Sequence, residues 1–213
     1  MMPSVSELRD TAPMALTASA AGTDATEIPA APELSLRVGR LARLLAIDER
    51  LLVAARRLHG PWRTAVARAL TRAGNTSSWT LVVLVLLVAG APFTVLGARL
   101  AAATLLGTLL SQALKRSLHR PRPTSAIHGF EALAENPDRF SFPSGHTTAA
   151  FAAAVALAGA PFGIGPAALV LAVGIGLSRV YLGAHYPLDV AVGLVLGSGA
   201  GALARLGLTS FGF

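Results

Sequence analysis

The sequence predicts an all-α integral membrane helical bundle, and three observations carry that expectation. Hydrophobic residues make up 53% of the 213 positions against 14% charged, with a mean hydropathy of +0.59, above what a soluble domain of this size carries. Uncharged stretches cover residues 73–98, 100–114, 147–178 and 190–204, and a bilayer core about 30 Å thick needs roughly 20 mostly apolar residues per helix. Ala and Gly are abundant in those stretches, so the helices can pack closely through small faces. About five transmembrane helices are expected, preceded by amphipathic interfacial helices.

Residues 1–33 are rich in Ala, Thr, Pro and Ser, and Glu7, Arg9 and Asp10 fall where a secretory signal would need its apolar core. A disordered N-terminal tail is expected, not a cleaved signal. Over 34–72, apolar residues recur at helical spacing (Leu34, Val38, Leu41, Leu45, then Trp62, Val66, Leu70) among nine arginines, the pattern of helices that lie in a membrane interface. Gly60-Pro61 divides them, and Pro61 suits a first helical turn. The remaining residues, 73–213, form the transmembrane domain, with spans expected at about 74–90, 92–114, 147–161, 165–181 and 187–206.

Gly90-Ala91-Pro92 turns the first span into the second, and the Gly/Pro-rich stretch 159–166 divides the third from the fourth. The polar segment 115–145, with Pro121, Pro123 and Pro143, is expected as a surface loop. Arg99, Arg116, Arg120 and Arg205 lie towards span ends and are expected as interface anchors. His59, His119 and His128 have no motif around them. Gly183 and Gly193 suit turns and close helix packing.

The chain has no cysteine, which excludes disulfides and thiolate metal sites. Its net charge of +7 rests on Arg, and the hydropathy directs that charge towards an anionic membrane surface or an acidic substrate rather than nucleic acid.

Three segments concentrate the chemistry: Lys115-x6-Arg122-Pro123, Pro143-Ser144-Gly145-His146, and Ser178-Arg179-x5-His185-x3-Asp189. Counting crossings brings all three to one membrane face, whichever way the protein is inserted. Lys115, Arg122 and Arg179 supply a point charge and planar forks suited to phosphoryl oxygens. Ser144 and Gly145 precede a helix, so Ser144 can act as its N-cap while backbone N–H groups at 144–146 point towards an anion, with Gly145 letting the backbone come close. If the last helix starts at Pro187, the Asp189 carboxylate can reach back to one nitrogen of His185, fix its tautomer and leave the other nitrogen as a nucleophile. His146, on a different helix, is free to protonate a leaving oxygen. A histidine nucleophile, a histidine acid and a ring of cations describe phosphoryl transfer through a phosphohistidine without a metal or other cofactor.

This three-part pattern resembles the type 2 phosphatidic acid phosphatase superfamily, which includes membrane lipid phosphatases, soluble bacterial acid phosphatases and vanadium-dependent haloperoxidases. The resemblance covers about residues 48–205, with all three motifs matching in order and spacing. It implies that Lys115, Arg122, Ser144, Gly145 and Arg179 bind the phosphoryl group. His146 would be the acid, His185 the nucleophile and Asp189 its orienting partner.

The expected activity is hydrolysis of the terminal phosphate of a lipid phosphate or isoprenoid (di)phosphate, with the lipid chain lying among the helices. A vanadium-dependent haloperoxidase-like enzyme and a catalytically silent lipid-binding membrane protein are the competing readings. The family's haloperoxidases are soluble and larger, and a silent protein would be expected to have lost His146, His185 or Asp189. The expected partners are the lipid substrate and the bilayer, with self-association into a homo-oligomer left open. Arginines ahead of the first span favour a cytoplasmic N-terminus and, with five spans, a site on the cytoplasmic side of the cell membrane; many lipid phosphatases of the superfamily instead face outward, an arrangement that an extra crossing within 34–58 would restore.

Overall fold

The computed structural model describes residues 31–134 and 138–210, whose regular elements are all helices. The chain divides into two units, Met1–Arg40 and Leu41–Phe213. The described part of the first is the start of α1 (Ala31–Ala55). The expected tail therefore lies outside the described residues up to position 30, and helix begins three residues ahead of the expected Leu34. A single 3₁₀ turn, Arg56–Leu58, leads to Gly60-Pro61 and α2 (Pro61–Ala73), with Pro61 in the first turn as its fixed φ requires. There follow α3 (Thr76–Val88), α4 (Phe93–Leu118), the single turn α5 (Pro123–Ala126), α6 (Gly145–Ala156), α7 (Ile164–Tyr181) and α8 (Pro187–Ser210).

Among the described residues, three helices, α4, α7 and α8, are long and apolar enough to cross a bilayer. The expected count of five spans is not carried by length. α3 has 13 residues and α6 has 12, about 20 Å of straight helix against a hydrocarbon core of about 30 Å. α6 ends at Ala156, short of the expected 161, because Gly159 takes φ +84° and Pro161 disfavours helix before it. Conversely α4 runs past Leu114 to Leu118, which puts Lys115 and Arg116 in its last turn beside the negative end of the helix dipole.

α6 is the axis of the bundle, packed between α4, α7 and α8, while α3 lies on α4 and α2 on α7. Its alanines 150, 152, 153, 154 and 156 are all buried. α8 meets it through Gly193, Gly197 and Gly201, one per turn. A Cβ at these positions would fall 2.8 Å from the Ser144 carbonyl oxygen, 2.3 Å from that of Thr148 and 2.6 Å from that of Ala152. Only a glycine stripe lets the two backbones come this close, the packing mode of membrane helices. The outer surfaces carry exposed Leu105 and Leu109 on α4, Val170 and Leu177 on α7, and Val195 and Leu203 on α8. The buried polar set includes Lys115, Arg122, Arg179, His185 and Asp189. Apolar outside and charged within is the distribution a bilayer selects.

Candidate active site

The C-terminal ends of α4 and α7 and the N-terminal ends of α6 and α8 meet at one end of the bundle. Between them is a cavity of about 920 Å³ lined by Lys115, Arg122, Gly145, His146, Arg179 and His185, with Arg68, Thr71, Asn75, Ser111 and Asp138 also on its wall. Six of the eight residues singled out from sequence therefore share one wall. Ser144 and Asp189 lie behind it, fully buried.

Ser144 differs from expectation in its contacts. It occupies the N-cap position of α6, but its hydroxyl accepts from Thr147 Oγ1 at 2.9 Å and makes no capping bond. Its N–H donates to the Asp189 carbonyl oxygen at 3.0 Å, so it is not aimed at the cavity. The second and third motifs are thereby joined through main chain. Gly145 is the residue that faces the cavity: a Cβ there would meet only Ser111 Oγ at 3.6 Å and Lys115 Nζ at 3.9 Å. The first-turn N–H groups of a helix have no intrahelical acceptors, so the start of α6 offers donors beside an ammonium.

His185 sits in the short connection between α7 and α8, shaped by Gly183 at φ +72° with the Phe130 ring packed where a Cβ would stand. Its Nδ1 faces Asp189 Oδ2 at 3.5 Å, longer than a hydrogen bond but in the expected orientation. Oδ2 itself accepts from the Tyr186 N–H at 3.0 Å. The opposite nitrogen, Nε2, lies 3.5 Å from an Arg122 Nη, which donates to the Ala184 carbonyl at 2.7 Å. Burial pushes the imidazole down to about 4; Asp189 opposes this and the Arg179 and Arg122 charges add to it. A neutral ring with one bare nitrogen is the form a nucleophile requires. His146, on α6, donates from Nε2 to Asn75 Oδ1 at 2.9 Å.

Two of the cations are held in place by a residue that carried no sequence signal. Asp138 pairs with both Lys115 and Arg122, and Arg122 Nε donates to its carbonyl at 2.7 Å. Burial raises the Asp138 carboxyl, but the two cations outweigh it and hold the group below its ordinary value. Asp138 lies in an aperiodic loop, so no spacing pointed to it. Asn75 opens α3, and its side chain makes no cap bond there; it is engaged by His146. Ser111 Oγ is buried without a hydrogen-bond partner. Its position one turn before Lys115 was a legible signal, since i and i+4 share a helix face.

Arg120 is a correction. Expected as an interface anchor, it donates to Asp189 Oδ1 at 2.7 Å and to Asp48 Oδ2 at 2.6 Å. Proximity to the first motif pulls it inward, and a buried carboxylate needs a counter-charge more than an interface needs another arginine. His59 bonds the Tyr181 carbonyl at 2.8 Å and His119 packs edge-on against Phe140; neither is on the cavity wall.

Comparison with known proteins identifies the family. The chain is 42% identical over 90 residues to decaprenylphosphoryl-5-phosphoribose phosphatase of Mycobacterium tuberculosis, covering 42% of this chain and 49% of that protein. It is 37% identical over 108 residues to lipid A 1-phosphatase of Rhizobium etli, covering 48% and 46%. The chain spans about half the length of the curated relatives it matches. Among solved structures, a transmembrane PAP2 type phosphatidylglycerolphosphate phosphatase from Bacillus subtilis superposes with a TM-score of 0.66 at 28% identity, over 76% of this chain and 85% of that one. Aquifex aeolicus LpxE superposes at 0.65 with 27% identity, over 73% and 92%. The family model described as PAP2 superfamily matches residues 96–209, more than half of the chain and all three motifs. With the motifs, the fold and the match in agreement, the chain belongs to the PAP2 superfamily.

Proposed function

We propose that the protein is a membrane phosphatase that removes the terminal phosphate of a lipid phosphate or isoprenoid (di)phosphate through a phosphohistidine on His185. The observation that carries this reading is the shared cavity wall, on which Lys115, Arg122, Gly145, His146, Arg179 and His185 converge from separate elements. Nε2 of His185 attacks phosphorus, a P–N bond forms, and the P–O bond to the lipid breaks. Burial and the Arg179, His185 and Lys115 charges hold the His146 imidazole down to about 3 until substrate binds; an anionic phosphoryl group bound among those cations raises it again, and the protonated His146 gives the leaving oxygen its proton. In the second step His146 takes a proton from water, whose oxygen attacks the phosphohistidine and releases inorganic phosphate. Lys115, Arg122 and Arg179 stabilise the charge on the equatorial oxygens, the work a metal does in other phosphoryl-transfer sites. Three cations around one anion site repel a divalent metal, so catalysis is metal-free in this reading. Asp138 holds Lys115 and Arg122 before substrate arrives, and the incoming phosphoryl group replaces it.

The Mycobacterium tuberculosis and Rhizobium etli relatives and the Bacillus subtilis neighbour are phosphatases by name, which favours this reading over a haloperoxidase or a silent lipid binder. The test is a panel of phosphatidate, phosphatidylglycerol phosphate, polyprenyl diphosphate and a phosphorylated prenyl sugar, assayed with purified protein in detergent. Release of inorganic phosphate should occur with at least one member, persist in EDTA, be inhibited by vanadate and vanish in H185A. Residual wild-type activity in folded H185A, or strict dependence on magnesium, would refute the mechanism.

The cytoplasmic side is proposed for the site. Arg68 and Arg72 of α2 are on the cavity wall, so the arginine-rich segment and the site share one end of the bundle. The positive-inside rule then applies to that end directly, without counting crossings.

A further inference from the structure

We infer that Arg120 and Asp48 are positioning residues that hold the Asp189 carboxylate, and through it the His185 ring, in the reactive arrangement. The inference rests on the proposal that His185 is the nucleophile. Asp189 is fully buried, and its two oxygens have separate tasks. Oδ2 faces His185 Nδ1 and accepts the Tyr186 N–H, whereas Oδ1 accepts only from Arg120 among the bonds described. Rotation of the carboxylate plane about the Cβ–Cγ bond away from this setting would lose the 2.7 Å charge-assisted bond to Arg120, so that bond keeps one oxygen turned towards His185 Nδ1.

Arg120 is itself fixed on two sides. Its second terminal nitrogen donates to Asp48 Oδ2 at 2.6 Å, and the guanidinium stacks 4.0 Å above the centroid of the Tyr186 ring, next to His185 in sequence. Asp48 completes the set from α1. Its other oxygen, Oδ1, accepts the Leu188 N–H at 2.8 Å, in the first turn of α8 where the dipole favours a negative charge. Asp48 is 5% exposed, and one turn on along α1 Leu52 is buried against Phe130 and Tyr186. From Leu41 onward, then, α1 meets the bundle through the face that supplies Asp48. None of Asp48, Arg120 and Asp189 is on the cavity wall, so the chain Asp48–Arg120–Asp189–His185 acts on substrate through its last member alone.

The experiment compares kcat, KM and vanadate inhibition in purified R120Q, D48N, D189N and the double variant R120Q/D189N, with H185A alongside. Outer partners of ligand histidines cost roughly 10- to 100-fold when removed, and a loss of that order in kcat is expected for R120Q. KM and the vanadate inhibition constant should stay within about twofold, because the phosphate-binding wall is untouched. R120Q/D189N should be no slower than D189N, since the two residues act in series. A merely structural role would lower the melting temperature and give additive losses. Asp48→Asn keeps an acceptor for the Leu188 N–H and removes one charge, so it serves where R120Q does not fold; a severalfold fall in kcat at unchanged KM is expected. Wild-type kcat in folded R120Q or D48N, additivity with D189N, or a loss confined to KM overturns the inference. Activity in H185A would instead sink the nucleophile assignment on which it rests.

Discussion

At the scale of single residues, the site is organised around buried charges that face one cavity. His185 illustrates the consequence for pH. Its imidazole is held at about 4 in the folded protein against an ordinary value of 6.5. Above pH 6.5 the ring is neutral in both folded and unfolded chains and contributes no pH dependence. As pH falls from 6.5 towards 4 the unfolded chain takes up a proton that the folded one refuses, so stability falls through that window. Thermal melting in detergent at pH 7.5 and 4.5 should therefore show a larger acid loss for wild type than for H185Q. Equal losses would mean that the ring protonates freely in the fold. Lys115, Arg122 and Asp138 teach a related point: the cations were legible because Lys-x6-Arg-Pro is a fixed spacing, while their carboxylate partner sits in a loop with no period.

At the scale of elements, the contact of α6 with α8 sets the geometry of the site, because it joins the segment carrying His146 to the one carrying Asp189. The glycine stripe makes a specific forecast. In G197A the new methyl would lie 2.3 Å from the Thr148 carbonyl oxygen, so α8 must move away, at a cost of about 1–3 kcal/mol by the usual penalty of overpacking. Activity should fall with it, since the Ser144 to Asp189 main-chain bond crosses the same contact. Gly199 has nothing within 4 Å of its would-be Cβ, and G199A should be neutral or more stable by roughly 0.5–1 kcal/mol from reduced backbone freedom. Melting temperatures of the two variants, measured side by side in one detergent, check both. A G197A protein as stable and active as wild type would remove the stripe from the account.

At the scale of the whole molecule, the charged interior and apolar exterior are two sides of one constraint imposed by lipid. The chain contains no cysteine, so single cysteines report orientation without background. Ser125 is exposed near the first motif, and Phe162, in the α6–α7 connection at the other end of α6, is 90% exposed. With the site on the cytoplasmic side, F162C should react with a membrane-impermeant maleimide in intact cells and S125C only after permeabilisation. The opposite pattern would place the site outside.

The sequence by itself determined the helical membrane class, the arginine-rich segment ahead of the spans and the three motifs, because hydropathy, helical period and short fixed spacings are local properties. It also indicated that the motifs share one end, since crossings alternate. It did not reach α3 and α6 as short helices, the inward turn of Arg120, or the partners Asp48, Asn75 and Asp138. Those are contacts between residues as far apart in the chain as Asp48 and Leu188. Only tertiary packing decided them, because a buried charge takes its partner from whatever element the fold brings within hydrogen-bonding distance.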